Sequence, residues 1–162
     1  MAHGITSVNW WHANVPATLV TLGARSYVGV RFRVNAAGRI CGFRYYGQNG
    51  SPQDYWALLL GVTVPGVKAV AKFKETGTSS DQWNQVWFHP WYRYVVGDIY
   101  DVAVEFENVH YFRDNAALVS GGVAHGQIQF NSSWQSTAIN PGVVTQTQTT
   151  NANGVDILVQ LD

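Results

Sequence analysis

The chain of 162 residues carries ten basic and ten acidic residues, and only 12% of its residues are charged. Such a neutral chain lacks the basic surface that binds nucleic acid or anionic lipid, so neither is an expected partner. The aromatic fraction of 14% is high and favours surfaces that meet neutral ligands or other subunits. The length predicts a single domain over residues 1–162. No apolar run reaches the roughly 18 residues that predict a membrane span.

The single cysteine, Cys41, excludes an intramolecular disulfide, and we predict that it is a small buried hydrophobe. The first residues, Met1 to Gly4, lack the basic start and the apolar run of a signal peptide. We therefore expect the protein to be made in a cytoplasm without a signal peptide.

The amino-terminal part of the chain predicts an arm and then a β-hairpin. Residues 1–15 form the predicted arm and carry Trp10 and Trp11. Residues 28–34 and 39–46 alternate apolar and polar side chains, which is the period of a strand with one buried face. The short turn between these two strands predicts that they pair as a hairpin.

Two more strands are predicted around Pro65. Residues 55–62 are almost continuously apolar and predict a buried strand, which ends at a turn containing Pro65. From Val67 to Phe73 the odd-numbered residues are apolar, so they are predicted to share one face of the next strand.

The middle of the chain predicts a strand over residues 81–90, a corner at Pro90 and a second strand over residues 95–106. In the first of these strands Val86 and Phe88 share the predicted core face. Trp87 lies on the opposite face, so it is expected to meet solvent, a ligand or a partner.

The carboxyl-terminal part predicts a long loop over residues 131–153, which are rich in Ser, Thr, Gln and Asn, and a last strand over residues 154–161. In total the chain predicts about eight or nine strands and no amphipathic helix. This pattern indicates an all-β fold, an antiparallel β-sandwich.

Seven segments occur in an order that is similar to a known domain. They are Val28-Gly29-Val30-Arg31-Phe32-Arg33-Val34 with Gly38-Arg39-Ile40-Cys41-Gly42-Phe43-Arg44-Tyr45-Tyr46, then Tyr55-Trp56-Ala57-Leu58-Leu59-Leu60, Lys68-Ala69-Val70-Ala71-Lys72-Phe73, Trp83-Asn84-Gln85-Val86-Trp87-Phe88-His89-Pro90, Gly97-Asp98-Ile99-Tyr100-Asp101-Val102 and Val155-Asp156-Ile157-Leu158-Val159. Together they resemble a jelly-roll domain of unknown function, itself similar to carbohydrate-binding modules. That domain is found in secreted bacterial proteins and in minor tail proteins of actinobacterial phages. The resemblance implies a jelly-roll sandwich and a non-catalytic module.

The acidic residues allow two interpretations. Glu105 and Glu107 are two residues apart on one strand face, about 7 Å, which is within the range of about 6.5–9.5 Å found in inverting glycosidases. Alternatively, Asp101 and these glutamates lie on a solvated outer face and pair with arginines of neighbouring strands. The candidate partners are Arg31, Arg33 and Arg44. We predict the second arrangement and no catalytic residue, so the protein is not expected to be an enzyme.

Metal ligation has little support in the sequence. The five histidines show no zinc-ligand spacing. Asp98, Asp101, Asp114 and Asn115 are conceivable oxygen ligands for a structural calcium ion, but they do not have the spacing of a calcium loop. We therefore expect no cofactor and leave a structural calcium ion open.

Five aromatic residues are the candidate ligand or partner contacts, because they fall at strand ends, on an outer face or at the predicted corner. Sugar rings stack on such side chains, and polar groups of the ring bond the sugar hydroxyls. The alternatives are burial against another subunit or a chain terminus, and simple exposure. The five are Trp10, Trp11, Trp87, Trp91 and Tyr92.

These observations predict a non-catalytic structural protein of a tailed bacteriophage, either a minor tail protein or a surface decoration protein. The expected location is the virion, and the expected partners are other virion proteins and copies of the same chain in a symmetric homo-oligomer. A cell-surface glycan is a further possible ligand. The alternative prediction is a carbohydrate-binding module of a bacterial secreted protein.

Overall fold

A computed structural model describes residues 18–21, 25–47, 54–74, 82–106, 109–113, 123–124, 128–136, 147–149, 152–153 and 155–162. The regular elements in these ranges are all β-strands, which confirms the predicted all-β class. No helix that could cross a membrane occurs in the described part of the chain.

The strands are numbered in chain order. They are β1 (Thr18–Thr21), β2 (Ser26–Val34), β3 (Gly38–Gly47), β4 (Asp54–Gly61), β5 (Gly66–Lys74), β6 (Gln82–Arg93), β7 (Ile99–Phe106), β8 (Val109–Arg113), β9 (Val123–Ala124), β10 (Ile128–Ser136), β11 (Thr147–Thr149), β12 (Ala152–Asn153) and β13 (Val155–Leu161).

The strands form three sheets. The large sheet has the order β11-β10-β2-β7-β4-β5, with β9 beside β10, and the small sheet has the order β13-β3-β6. A third sheet, β1-β8-β12, lies against β2, β3 and β10. The strand pairs are antiparallel.

One hydrophobic core lies between the large and small sheets, as expected for a sandwich. Alternate residues of β2, β4 and β7 point into it from the large sheet, and alternate residues of β3, β6 and β13 point into it from the small sheet. Among its fully buried members are Phe32, Phe43, Leu59, Phe88, Val102 and Ile157. The sandwich is therefore confirmed, and the finer assignment to a jelly roll stays a prediction.

The predicted hairpin of residues 28–34 and 39–46 is wrong. β2 pairs with β7 and β10, whereas β3 pairs with β6 and β13, so the two strands belong to opposite sheets. The end of β2 is held instead by the turn before β7, because the Gly97 N–H donates a 2.7 Å hydrogen bond to the carbonyl oxygen of Val34. Both strands have one apolar face. Two strands paired in one sheet and two strands facing each other across a core both show this pattern, so alternation alone does not distinguish the two arrangements.

The predicted corner at Pro90 is also wrong, because β6 continues to Arg93. The irregularity at this point is one of register: Trp87 pairs with Gly42 and Tyr92 with Ile40, so four residues of β6 lie opposite Cys41 alone. β6 is the edge strand of the small sheet among the described strands, and an edge tolerates a proline that cannot donate a ladder hydrogen bond.

In β5 a register shift changes the face of one predicted core residue. Ala69 lies opposite Leu59, but Val67 lies opposite Leu60, so one extra residue of β5 is accommodated between these pairs. A bulge of this kind turns the chain beyond it. Ala71 and Phe73 are buried as predicted, whereas Val67 is 43% exposed.

The predicted loop over residues 131–153 is wrong in part, because residues 131–136 belong to β10 and the short strands β11 and β12 follow. β10 pairs with β2 along its length. Its serines conceal the alternation of a strand, since Ser133 and Ser136 are buried together with Trp134. The predicted arm over residues 1–15 lies outside the described residues.

Candidate functional site

The outer face of the large sheet carries two of the acidic residues considered above, Asp101 and Glu105. Arg31 donates hydrogen bonds of 3.0 and 2.9 Å to the two carboxylate oxygens of Asp101, and this contact holds the pKa of Arg31 above its ordinary value. Because Asp101 is only 2% exposed, the predicted pairing with an arginine is confirmed and the predicted solvation is wrong. Its carboxylate is held in a two-pronged ion pair.

Glu105 is held in a similar way. Arg25 donates to its carboxylate at 2.8 and 2.9 Å, and the backbone N–H of Trp56 donates to it at 3.0 Å. Glu107, the second member of the proposed catalytic pair, lies outside the described residues. The described contacts of Glu105 are those of a structural carboxylate that joins β7 to β4.

The small sheet contains a buried ion pair that the sequence analysis missed. Arg44 donates to Asp156 at 3.0 and 2.9 Å, and Asp156 is completely buried. The guanidinium of Arg44 also lies 4.3 Å from the ring centre of Trp83. The register pairs Arg44 with Asp156, but the partner of β3 cannot be read from an alternating pattern.

A cleft with a volume of 360 Å³ lies between β5 and β6, where the edges of the large and small sheets meet. Its size is within the usual range of ligand pockets, about 300–1,000 Å³. It is lined by Tyr45, Lys72, Phe73, Lys74, Asn84, Gln85, Val86, Trp87 and His89.

The structure separates the five candidate aromatic contacts. Trp87 is half-buried and lines the cleft. Trp91 is also half-buried, but it is not among the residues that line the cleft. Tyr92 packs against the core, with its ring centre 5.8 Å from that of Tyr100. Trp10 and Trp11 lie outside the described residues, so the described structure brings none of the other candidates together with Trp87.

Trp56 is the exposed aromatic residue that the sequence analysis missed. It is 42% exposed on the outer face of β4, and the ammonium nitrogen of Lys72 lies 5.7 Å from its ring centre. The continuous apolar run predicted burial on both faces. The alternation of side chains along a strand could have predicted this exposure. Tyr55 and Ala57 occupy the core face, so Trp56 between them lies on the outer face.

The described residues contain no group of three or more His, Cys, Asp or Glu side chains that could hold a metal ion. Of the conceivable calcium ligands, Asp101 is held by Arg31, while Asp114 and Asn115 lie outside the described residues. Cys41 is buried as predicted, and this burial raises the pKa of its thiol.

Compared with models of known protein families and with curated proteins, the chain matches none.

Proposed function

We propose that this protein is a non-catalytic structural component of a tailed-phage particle, a minor tail protein or a surface decoration protein. The observation that carries the proposal is the outer face of β4 and β5, where Trp56 and Val70 are 42% and 43% exposed. Leu58 lies directly opposite Val70 on the same face. Contiguous exposed apolar residues on a soluble domain are typical of protein contact sites.

The charges around this face also favour assembly. Arg31 neutralises Asp101, Arg25 neutralises Glu105, and both carboxylates are buried. A partner that covers the centre of the sheet therefore desolvates no unpaired carboxylate of Asp101 or Glu105, and a low number of unpaired charges is the usual composition of an interface centre.

The edge of the same sheet favours contact through the face rather than through strand pairing. β5 carries Lys68, Lys72 and Lys74, and lysines on an edge strand oppose the addition of another strand. Low overall charge and the resemblance to phage tail domains agree with a particle component.

Particle composition tests the proposal. We expect mass spectrometry to find the wild-type chain in purified particles of the phage that encodes it. Val70→Glu places a charge on the outer face and should remove the chain from the particles. Val96→Glu is the matched control, because Val96 is 51% exposed in the turn between β6 and β7 and belongs to neither β4 nor β5, and it should leave incorporation unchanged. Absence of the wild-type chain, or equal incorporation of both variants, contradicts the proposal.

A second proposed function is glycan binding at the cleft, as in a carbohydrate-binding module. The observation that favours it is the position of Trp87 in a cleft lined by polar side chains. Calorimetric titration with cell-surface oligosaccharides should show binding that Trp87→Ala weakens about tenfold. Equal binding by the wild type and the variant would contradict this role for Trp87.

A further inference from the structure

We propose that the cleft between β5 and β6 binds an acidic glycan, a sugar chain that carries carboxylate or phosphate groups. The inference rests on the second proposed function, glycan binding, and adds the chemical class of the ligand. It follows from the charge of the cleft, from the surroundings of Trp87 and from the rigidity of the strands that form the site.

The cleft has an excess of positive charge. Lys72 and Lys74 line it, and none of the described residues that line it is acidic. Both ammonium groups pair with a single carboxylate, that of Asp54, at 2.5 and 3.7 Å. Two cations that share one anion leave a net positive charge at the edge of the cleft, and such a charge attracts an anionic ligand.

Lys74 is the residue that we assign to the anionic group of the ligand. Its distance of 3.7 Å from Asp54 is longer than a hydrogen bond, and its side chain is 67% exposed. Lys74 can therefore turn towards a ligand at the loss of only this long ion-pair contact. Lys72, in contrast, is hydrogen-bonded to Asp54 and serves mainly to occupy that carboxylate.

Trp87 provides the apolar surface for a sugar ring. Trp83, on the same strand, is engaged with Tyr46 and Arg44, whereas none of the ring contacts recorded between described residues involves Trp87. Its partner on β3 is Gly42, so no side chain stands beside it at that position. The C–H face of a sugar can stack on an indole that is available in this way.

The polar neighbours of Trp87 lie on the same face of β6. Gln85 and His89 are exposed, and each is two residues from Trp87, a separation of about 7 Å along a strand. They can donate to and accept from sugar hydroxyls on either side of the stacked ring. Gln85 and Trp87 lie in the part of β6 that pairs with β3, so these two residues do not need to be ordered when the ligand binds.

The experiment is a calorimetric titration of the full chain with two matched pairs of tetrasaccharides. The first pair is tetragalacturonate and its methyl ester, which differ in charge but not in the sugar ring. The second pair is phosphorylated maltotetraose and maltotetraose. We expect at least one acidic member to bind about tenfold more tightly than its neutral counterpart. The preference should weaken as salt is added, and comparison of the two pairs shows whether carboxylate or phosphate is preferred.

Four variants locate the binding. Lys74→Gln should lower the affinity for the acidic member about fivefold and leave the neutral member unchanged. Lys68→Gln, on the same strand but outside the cleft, should change neither. Trp87→Ala should weaken the acidic and neutral members alike by about tenfold. Trp56→Ala is the matched tryptophan control, and the urea midpoint of each variant shows that it is folded.

The outcomes separate the inference from the functions on which it rests. Equal affinity for acidic and neutral members overturns the acidic specificity and leaves glycan binding intact. Binding of none of the four tetrasaccharides overturns the inference and counts against glycan binding itself. Neither result bears on the first proposed function, a structural component of a phage particle, which is tested by the composition of purified particles.

Discussion

β7 and β5 are strands of the same sheet with similar patterns and different surroundings. Each has an apolar core face, and each carries charged residues on the outer face: Asp101 and Glu105 on β7, Lys72 and Lys74 on β5. β7 lies between β2 and β4, whereas β5 is the edge strand among the described strands. As a result the carboxylates of β7 are buried against arginines, while the lysines of β5 remain exposed beside a cleft. The position in the sheet, rather than the residue type, makes a charge structural or available to a ligand.

The largest effect is expected for Asp101→Asn. The substitution leaves Arg31 without its carboxylate in a partly buried site and should lower the free energy of unfolding by about 3 kcal/mol. Urea denaturation measures the change. The double variant Arg31→Met, Asp101→Leu removes both charges and should recover most of the loss. If Asp101→Asn lowered the free energy of unfolding by no more than the loss of an exposed ion pair does, the contrast between the buried charges of β7 and the exposed charges of β5 would be wrong.

A somewhat smaller loss is expected for Gly29→Ala on β2, the neighbour of β7. A Cβ atom at this position would overlap the indole ring of the buried Trp134, so the ring has to shift. Overpacking of this kind costs about 1–3 kcal/mol. Val70→Ala on the half-exposed face of β5 is the control and should cost about 0.5 kcal/mol or less. Equal losses would show that the outer face is packed as tightly at the edge as at the centre.

The alkaline pH range provides a third test, because β5 contains no tyrosine and β7 contains Tyr100. Burial raises the pKa of Tyr100 from 10.0 to about 12, and Tyr94 is raised to about 12 for the same reason. A raised folded-state pKa means that the stability is complete below pH 10 and is lost as the pH rises to about 12. The expected slope is about 1.4 kcal/mol per pH unit for each tyrosine.

Urea midpoints measured between these pH values, with tyrosinate absorbance followed in parallel, check this expectation. Tyr100→Phe should reduce the slope by about half, since Tyr94 remains. The variant also removes the hydroxyl that accepts from the backbone N–H of Val95, so its stability at neutral pH is the necessary reference. A slope unchanged in Tyr100→Phe would assign the alkaline loss to another group.

The smallest effect is expected for Asp54→Asn at the edge. The hydrogen bond from Lys72 lowers the pKa of Asp54, so any contribution is present above the ordinary carboxyl pKa and is lost as the pH falls through the lowered value. Because the pair is exposed and screened by salt, urea denaturation should show little change. The same variant should strengthen binding of an acidic glycan, since it removes the one carboxylate that Lys72 and Lys74 share.

Much of the architecture was predictable because alternation is a local property of the chain. The core faces of β6 and β7 follow from the spacing of Val86, Phe88, Tyr100 and Val102, and all four contribute to the core. The second half of β10, residues 131–136, was not predictable in the same way. Its serines read as a loop, and only pairing with β2 shows that they belong to a strand.

The candidate site was predictable only in part. Alternation places Trp87 on the face of β6 that is not shared by Val86 and Phe88, and in the structure Trp87 lines a cleft. Lys72 and Lys74 could not be assigned to that cleft, because nothing local to β5 shows that its edge meets β6. Tyr92 was predicted as a ligand contact because it follows the predicted corner at Pro90. Since β6 continues through this point, the ring of Tyr92 packs against Tyr100 instead.

By itself the sequence determined that this chain forms antiparallel strands with one apolar face each, because period and turn residues act over a few neighbours. It also determined a neutral charge balance and a high aromatic content. Only the tertiary structure decided which strands share a sheet, that β2 and β3 face each other across the core, and which charges are buried. The physical reason is that pairing and burial are set by strands far apart in the chain, and the same alternating pattern is compatible with several partners.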